Sequence, residues 1–97
     1  MITHPSKLAP STLQRYGMTD ALCVLDPELH TGPISGAETS QEKAARVDVA
    51  TDVCLSCPVL IKCLNRALGG WPEPGVWAGI DSAYLYCLTG ADLEEVA

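Results

Sequence analysis

Apolar residues in the middle of the chain recur at intervals typical of a helix. A capping-box pattern, Thr39-x-x-Glu42, stands immediately before this stretch. The apolar positions that follow it are Ala45, Val47, Ala50, Val53 and Cys54. This spacing predicts a helix from about Ser40 to Val53.

A second helix is predicted directly after the first. Pro58 favours the first turn of a helix, and the pair Gly69-Gly70 is a suitable stop after Leu68. Leu60, Cys63, Leu64 and Ala67 would lie on neighbouring faces of this helix. We therefore expect it to run from Pro58 to Leu68.

The first third of the chain shows weaker patterns. Residues 1–20 have scattered polar positions and two prolines, which predicts a loosely structured segment. A short helical turn is expected from Ala21 to Leu25. The run from Asp26 to Gly36 contains two prolines and two glycines and predicts a loop.

Start signals recur near the C-terminus. Asp81 and Ser82 can cap a short helix over residues 83–88, in which Cys87 is interpreted as a small apolar residue. Thr89-x-x-Asp92 resembles a further helix start. The pattern as a whole predicts an all-α fold, a small bundle of short helices.

Length and charge narrow the class of protein. A chain of 97 residues has room for one domain, and one so small often needs a metal or a disulfide for support. Its net charge is -6 and its last basic residue is Arg66, whereas duplex binding relies on basic side chains. Without an apolar leader or a membrane-length apolar run, we expect a soluble cytoplasmic protein that does not bind DNA well by itself.

Four of the five cysteines have the spacing of one metal site: Cys23, a long gap, and then Cys54-x2-Cys57-x5-Cys63. Thiolates select zinc, copper(I) or iron–sulfur clusters. Cys54 would end the first helix, Cys57 would lie near the cap of the second, and Cys63 would lie inside it, so three sulfurs can converge. Cys23 would reach them from the first helical turn.

Two other uses of these cysteines are open. Structural zinc is one, although zinc modules more often show two short-spaced pairs. The other is a thioredoxin-like redox pair formed by Cys54 and Cys57, for which the expected strand and helix context is absent. The sequence shows no paired carboxylates, no nucleophile with a base and no phosphate loop, so an enzyme is not expected.

The segment after the second helix completes a recognisable order of motifs. Gly75-Val76-Trp77-Ala78-Gly79 follows the cysteines, Asp26-Pro27-Glu28-Leu29 follows Cys23, and Pro58-Val59 follows Cys57. From about Ala21 to Gly79 the chain resembles the WhiB-like family of actinobacterial regulators, which also occurs in their phages.

The resemblance implies a helical domain over residues 21–90, wrapped around a 4Fe-4S cluster that responds to oxygen and nitric oxide, with residues 91–97 as an acidic tail. The implied cluster ligands are Cys23, Cys54, Cys57 and Cys63. The resemblance further implies a transcription regulator that binds region four of the primary sigma factor as a monomer in a heterodimer. The implied partner-binding residues are Gly75, Val76, Trp77, Ala78 and Gly79, with Trp77 as the anchoring side chain.

The chain also departs from the family pattern. His30-Thr31 stands where family members usually have paired Phe, no Trp precedes the first cysteine, and no basic residues follow the tryptophan turn. The family's DNA contact is therefore not expected here. His4 and His30 are interpreted as solvated loop residues. A zinc-stabilised interaction module and a small thiol-disulfide oxidoreductase are the alternative functions.

Overall fold

The computed structural model describes residues 1–86, which are mostly helical with one small two-stranded sheet. The α-helices are α1 (Pro10–Arg15), α2 (Pro27–Thr31), α3 (Ser40–Leu55) and α4 (Leu60–Leu68), and the 3-10 helices are Pro5–Lys7 and Leu22–Leu25. Strands β1 (Val76–Trp77) and β2 (Ile80–Asp81) form the sheet, and residues 82–86 are helical. The predicted helical majority is confirmed, and the sheet is an addition to the all-α prediction.

Some sequence predictions fall beyond the described part of the chain. Cys87, the helix start at Thr89 and the acidic segment 91–97 all lie outside residues 1–86. The division of the chain at residues 20 and 90 stays a prediction.

Local signals place the two longest helices. In the capping box of α3, the Glu42 amide donates to Thr39 Oγ1 over 3.1 Å and the Thr39 amide donates to Glu42 Oε1 over 3.2 Å. Helix α3 begins at Ser40 as predicted and continues to Leu55. Helix α4 ends at Leu68 as predicted but begins at Leu60, because Pro58 lies in the turn that precedes it.

The N-terminal segment is tied to the rest of the chain, which differs from the loose segment that was predicted. The Ile2 amide donates to Trp71 O over 2.7 Å, and the Glu73 amide donates to Ile2 O over 2.9 Å. Leu13 and Met18 are buried in the main hydrophobic cluster. Backbone pairing and apolar burial hold an end of the chain that would otherwise be free to move.

The predicted loop from Asp26 to Gly36 contains helix α2. Pro27 stands in its first turn, where its fixed φ suits a helix, and Gly32 ends it with a φ of 94°. Arg46 on α3 secures it, because its Nη1 donates to Leu29 O over 3.0 Å while its Nε pairs with Glu38 over 2.6 Å. Helix α2 thus depends on a contact from α3.

The sheet is an antiparallel hairpin in which Trp77 lies opposite Ile80. Its two connecting residues, Ala78 and Gly79, have φ values of 52° and 80°. Positive φ at both central positions is the geometry of a type I′ turn, which matches the twist of the strands. The hairpin buries Trp77 in the main cluster, together with Leu13, Met18, Val59 and Leu85.

None of the helices in residues 1–86 has both the length and the apolar character that a membrane span requires.

Candidate functional site

Four cysteines from separate parts of the chain line one cavity. Cys23 comes from the 3-10 helix Leu22–Leu25, Cys54 from the last turn of α3, Cys57 from the connection that follows, and Cys63 from α4. All four are free thiols; Cys57 is half-buried and the others are buried. The space between the lining atoms is about 320 Å³, part of it open to solvent. The structure therefore brings together the four residues that the sequence pattern singled out.

The rest of the lining is apolar apart from His4 and His30. It includes Met18, Ala21, Val53, Val59, Leu60 and Val76. Within residues 1–86, no three His, Cys, Asp or Glu side chains are grouped closely enough to hold a single metal ion, so the thiols do not form a ready mononuclear site. The four thiols surround a common space, and a 4Fe-4S cluster takes four cysteine thiolates. The soft donors and the shared cavity fit such a cluster.

Burial disfavours the charged thiolate forms of Cys23, Cys54 and Cys63. Burial first and the neighbouring cysteines second raise the pKa of Cys23 to about 12 and that of Cys63 to about 11. The pKa of Cys54 is also raised by burial. Thiolates at this site therefore require a positively charged partner, and metal ions supply that charge.

The hairpin turn supports two of these sulfurs. Backbone hydrogen bonds from Gly79 and Ala78 lower the pKa of Cys54 and so partly offset the effect of burial. A backbone hydrogen bond from Ala78 likewise lowers the pKa of Cys63. A Cβ on Gly79 would lie 3.8 Å from Cys54 Cβ, so the turn packs directly on the cysteine. Amide donors aimed at a sulfur stabilise its thiolate form.

Trp77 lies inside the protein. Its side chain is 0% exposed, and its Nε1 donates to Glu73 O over 2.9 Å. Val76 and Ala78 are also buried, whereas Gly75 and Gly79 are half-buried. The ring predicted to anchor a partner thus serves as the centre of the core, because a chain without Phe has few large apolar side chains. Trp71 is the exposed tryptophan, at 64%.

The prediction that both histidines are solvated is wrong. His4 and His30 are each 1% exposed, with ring centroids 5.8 Å apart, beside the cysteine cavity. The sequence does contain an indication that His30 is buried, because this residue stands where family members usually carry an apolar Phe. For His4 the local sequence gives no such signal, because its burial depends on Val76, far along the chain.

His4 uses both ring nitrogens. Nδ1 accepts from the Ser6 amide over 3.1 Å and lies 2.8 Å from Ser6 Oγ, so Nε2 carries the proton and donates to Val76 O over 2.7 Å. Burial lowers the pKa of His4 from 6.5 to about 4. The folded protein therefore holds a neutral His4 that links the N-terminus to β1.

We expect the free energy of unfolding to fall on acidification from pH 7 to pH 5. The unfolded chain takes up a proton at His4 below pH 6.5 while the folded chain does not until about pH 4, so acid favours unfolding. The protonation of His4 alone is expected to lower the free energy of unfolding by about 2 kcal/mol between pH 7 and pH 5. Urea unfolding at a series of pH values measures it, and His4→Gln, which cannot titrate, should give a shallower dependence. An equal slope in both proteins would contradict the assignment.

The fold and site define a small helical domain built around four thiols. Residues 19–84 match the model of the family described as transcription factor WhiB. The chain therefore belongs to the WhiB family, which is a family of transcription factors and not of enzymes. The family predicted from the motifs is thus confirmed. Among curated proteins and among solved structures, none matches the chain significantly.

Proposed function

We propose that this protein is a redox-responsive regulator that holds a 4Fe-4S cluster on Cys23, Cys54, Cys57 and Cys63 and binds region four of the primary sigma factor. The observation that carries the proposal is the cavity that all four cysteines line. Membership of the WhiB family supports the regulatory role. The cluster, the sigma contact and the redox response are expectations from the family resemblance.

The residues around the cavity have defined roles in this proposal. The bound cluster would supply reactivity toward oxygen and nitric oxide. The four thiolates would hold it, and the amides of Ala78 and Gly79 would stabilise negative charge on the sulfurs of Cys54 and Cys63. The apolar lining would limit access of water to the sulfurs.

The oxidoreductase alternative is less consistent with the site. A reactive cysteine needs a lowered pKa so that its thiolate forms easily. Burial raises the pKa of Cys54, one of the two residues that this alternative requires. The raised pKa of Cys54 therefore argues against thiol exchange by this pair.

We place the sigma-binding surface on the outside of the Gly75–Gly79 turn and on the adjoining end of α3. A Cβ on Gly79 would lie 3.8 Å from Leu55 Cδ2, so this side chain adjoins the turn, and it is 69% exposed. Trp77 would hold the turn in place from inside. An exposed apolar side chain beside a rigid turn is suited to a protein contact.

Recruitment through sigma also agrees with the charge of the chain. The net charge is -6, and Arg66 is the last basic residue. Phosphate contacts in duplex DNA require Lys and Arg, so the protein would reach promoters mainly through its partner. Loss or nitrosylation of the cluster would loosen the segments that meet at the cavity and so change the affinity for sigma.

Leu55→Glu in anaerobically prepared protein is expected to weaken binding to the sigma region-four domain by about tenfold or more, because a buried contact would be replaced by a charge. Val49→Glu is the matched control, since Val49 lies on the same helix and is 52% exposed. Titration of the labelled sigma domain with each protein gives the two affinities.

Equal affinities of the two variants would remove Leu55 from the interface. No binding by the unmodified protein would overturn the sigma proposal itself. A gel shift without sigma should show no stable complex at physiological salt, and tight binding there would overturn recruitment through the partner.

A further inference from the structure

Among residues 1–86, His30 is a buried polar side chain to which the structure gives no hydrogen-bond partner. It is 1% exposed, and neither Nδ1 nor Nε2 makes a hydrogen bond to the described part of the chain. Burial lowers the pKa of His30, and the nearby backbone carbonyl of Asp26 opposes this shift. The carbonyl does not, however, form a hydrogen bond of regular geometry with the His30 ring. Buried polar atoms are nearly always paired, so these two nitrogens require an explanation.

The neighbouring histidine, His4, shows that a buried imidazole in this region can form hydrogen bonds to the protein. His4 is equally buried, and its ring bonds Ser6 on one side and Val76 on the other. The His30 ring lies 5.8 Å from it, between centroids. Both rings border the cavity lined by the four thiols, but among residues 1–86 only His4 has protein hydrogen-bond partners there.

The backbone at His30 is fixed. It belongs to α2, which Arg46 holds through Leu29 O. A Cβ on Gly75 would lie only 2.9 Å from His30 O, and the φ of Gly75 is 156°, so this glycine allows the two segments to approach closely. Helix α2 and the hairpin together position the backbone of His30, whose side chain borders the cavity.

We propose that one ring N–H of His30 donates a hydrogen bond to a cysteine thiolate or a sulfide of the cluster. The inference rests on the proposed function, since it needs the cluster. A neutral thiol is a weak acceptor, whereas a thiolate or sulfide carries charge and accepts strongly. This explains why a donor buried at the cavity lacks a partner among the atoms of residues 1–86. His30 is then a positioning residue that stabilises negative charge on the cluster.

Hydrogen bonds to the sulfurs of a cluster raise its reduction potential, because reduction adds negative charge. His30→Phe keeps an aromatic ring but removes the N–H, and it should shift the midpoint potential of the cluster to a more negative value. His30→Gln keeps an N–H donor and should restore part of the shift. Reductive titration of the full chain under anaerobic conditions, followed by visible absorption, measures all three proteins.

Pulsed EPR on the reduced, unmodified protein labelled with ¹⁵N-histidine tests the same bond without a variant. A weak nitrogen coupling to the cluster is expected, and it should vanish in His30→Phe, which leaves His4 as the remaining histidine of the two in the chain. Potentials that agree in all three proteins would overturn the inference. So would a coupling that persists in His30→Phe, or one as strong as that of a directly bound imidazole.

The proposed function and the His30 bond can be overturned separately. Unmodified protein without iron and sulfide would overturn the proposed function and the His30 bond together. Protein with a full cluster but without the nitrogen coupling would overturn the His30 bond alone.

Discussion

Replacing Trp77 by alanine is expected to lower the free energy of unfolding by about 3–5 kcal/mol, the range found for large aromatic residues in protein cores. The ring is 0% exposed and packs in the main cluster with Met18 and Leu85. The substitution would also leave Glu73 O without the indole donor. For a chain of this size such a loss approaches the whole stability.

Trp71→Ala is the matched control for this prediction. Trp71 is 64% exposed and its main ring contact is with Tyr86, at 5.5 Å between centroids, so its loss should cost about 1 kcal/mol or less. Urea unfolding of both variants, prepared anaerobically, gives the two values. Sigma binding should fall in Trp77→Ala only as far as its folded fraction falls. A stable Trp77→Ala protein that no longer binds sigma would place the ring in the interface instead.

Local sequence signals were sufficient for the two longest helices. The capping box at Thr39 and Glu42 marks the start of α3 because both hydrogen bonds form within one helical turn. The glycines after Leu68 also mark the end of α4, where the Gly69 amide donates to Arg66 O over 3.2 Å. The convergence of Cys54, Cys57 and Cys63 follows from the placement of these helices, so it could be predicted as well.

The features that could not be predicted from the sequence depend on contacts between distant parts of the chain. The N-terminus is ordered by bonds from Ile2 to Trp71 and from His4 to Val76, which no local pattern reveals. Helix α2 lies in a stretch rich in proline and glycine and is held by Arg46. The burial of Trp77 follows from the hairpin, whose turn has Ala78 at a positive φ that sequence alone does not favour.

Replacing any of Cys23, Cys54, Cys57 or Cys63 by alanine is expected to abolish bound iron, acid-labile sulfide and the broad visible absorption of the anaerobic protein. Much of the helical circular dichroism should disappear as well. The cavity joins the 3-10 helix at Cys23, helix α3 and helix α4, so a cluster there would tie these three segments together. Binding and folding are coupled when the site does not exist in the unfolded chain.

Cys87→Ala is the control, since Cys87 is outside the four-cysteine pattern and should leave iron content and helicity unchanged. A colourless unmodified protein that holds zinc under strict anaerobic preparation would replace the cluster by the zinc alternative. Cysteine variants that lose iron yet stay fully helical and unfold cooperatively would show a fold independent of its cluster. The expected joint loss follows from the raised pKa values of Cys23 and Cys63, because thiols this strongly buried become thiolates only when metal charge compensates them, and the same metal then holds their helices together.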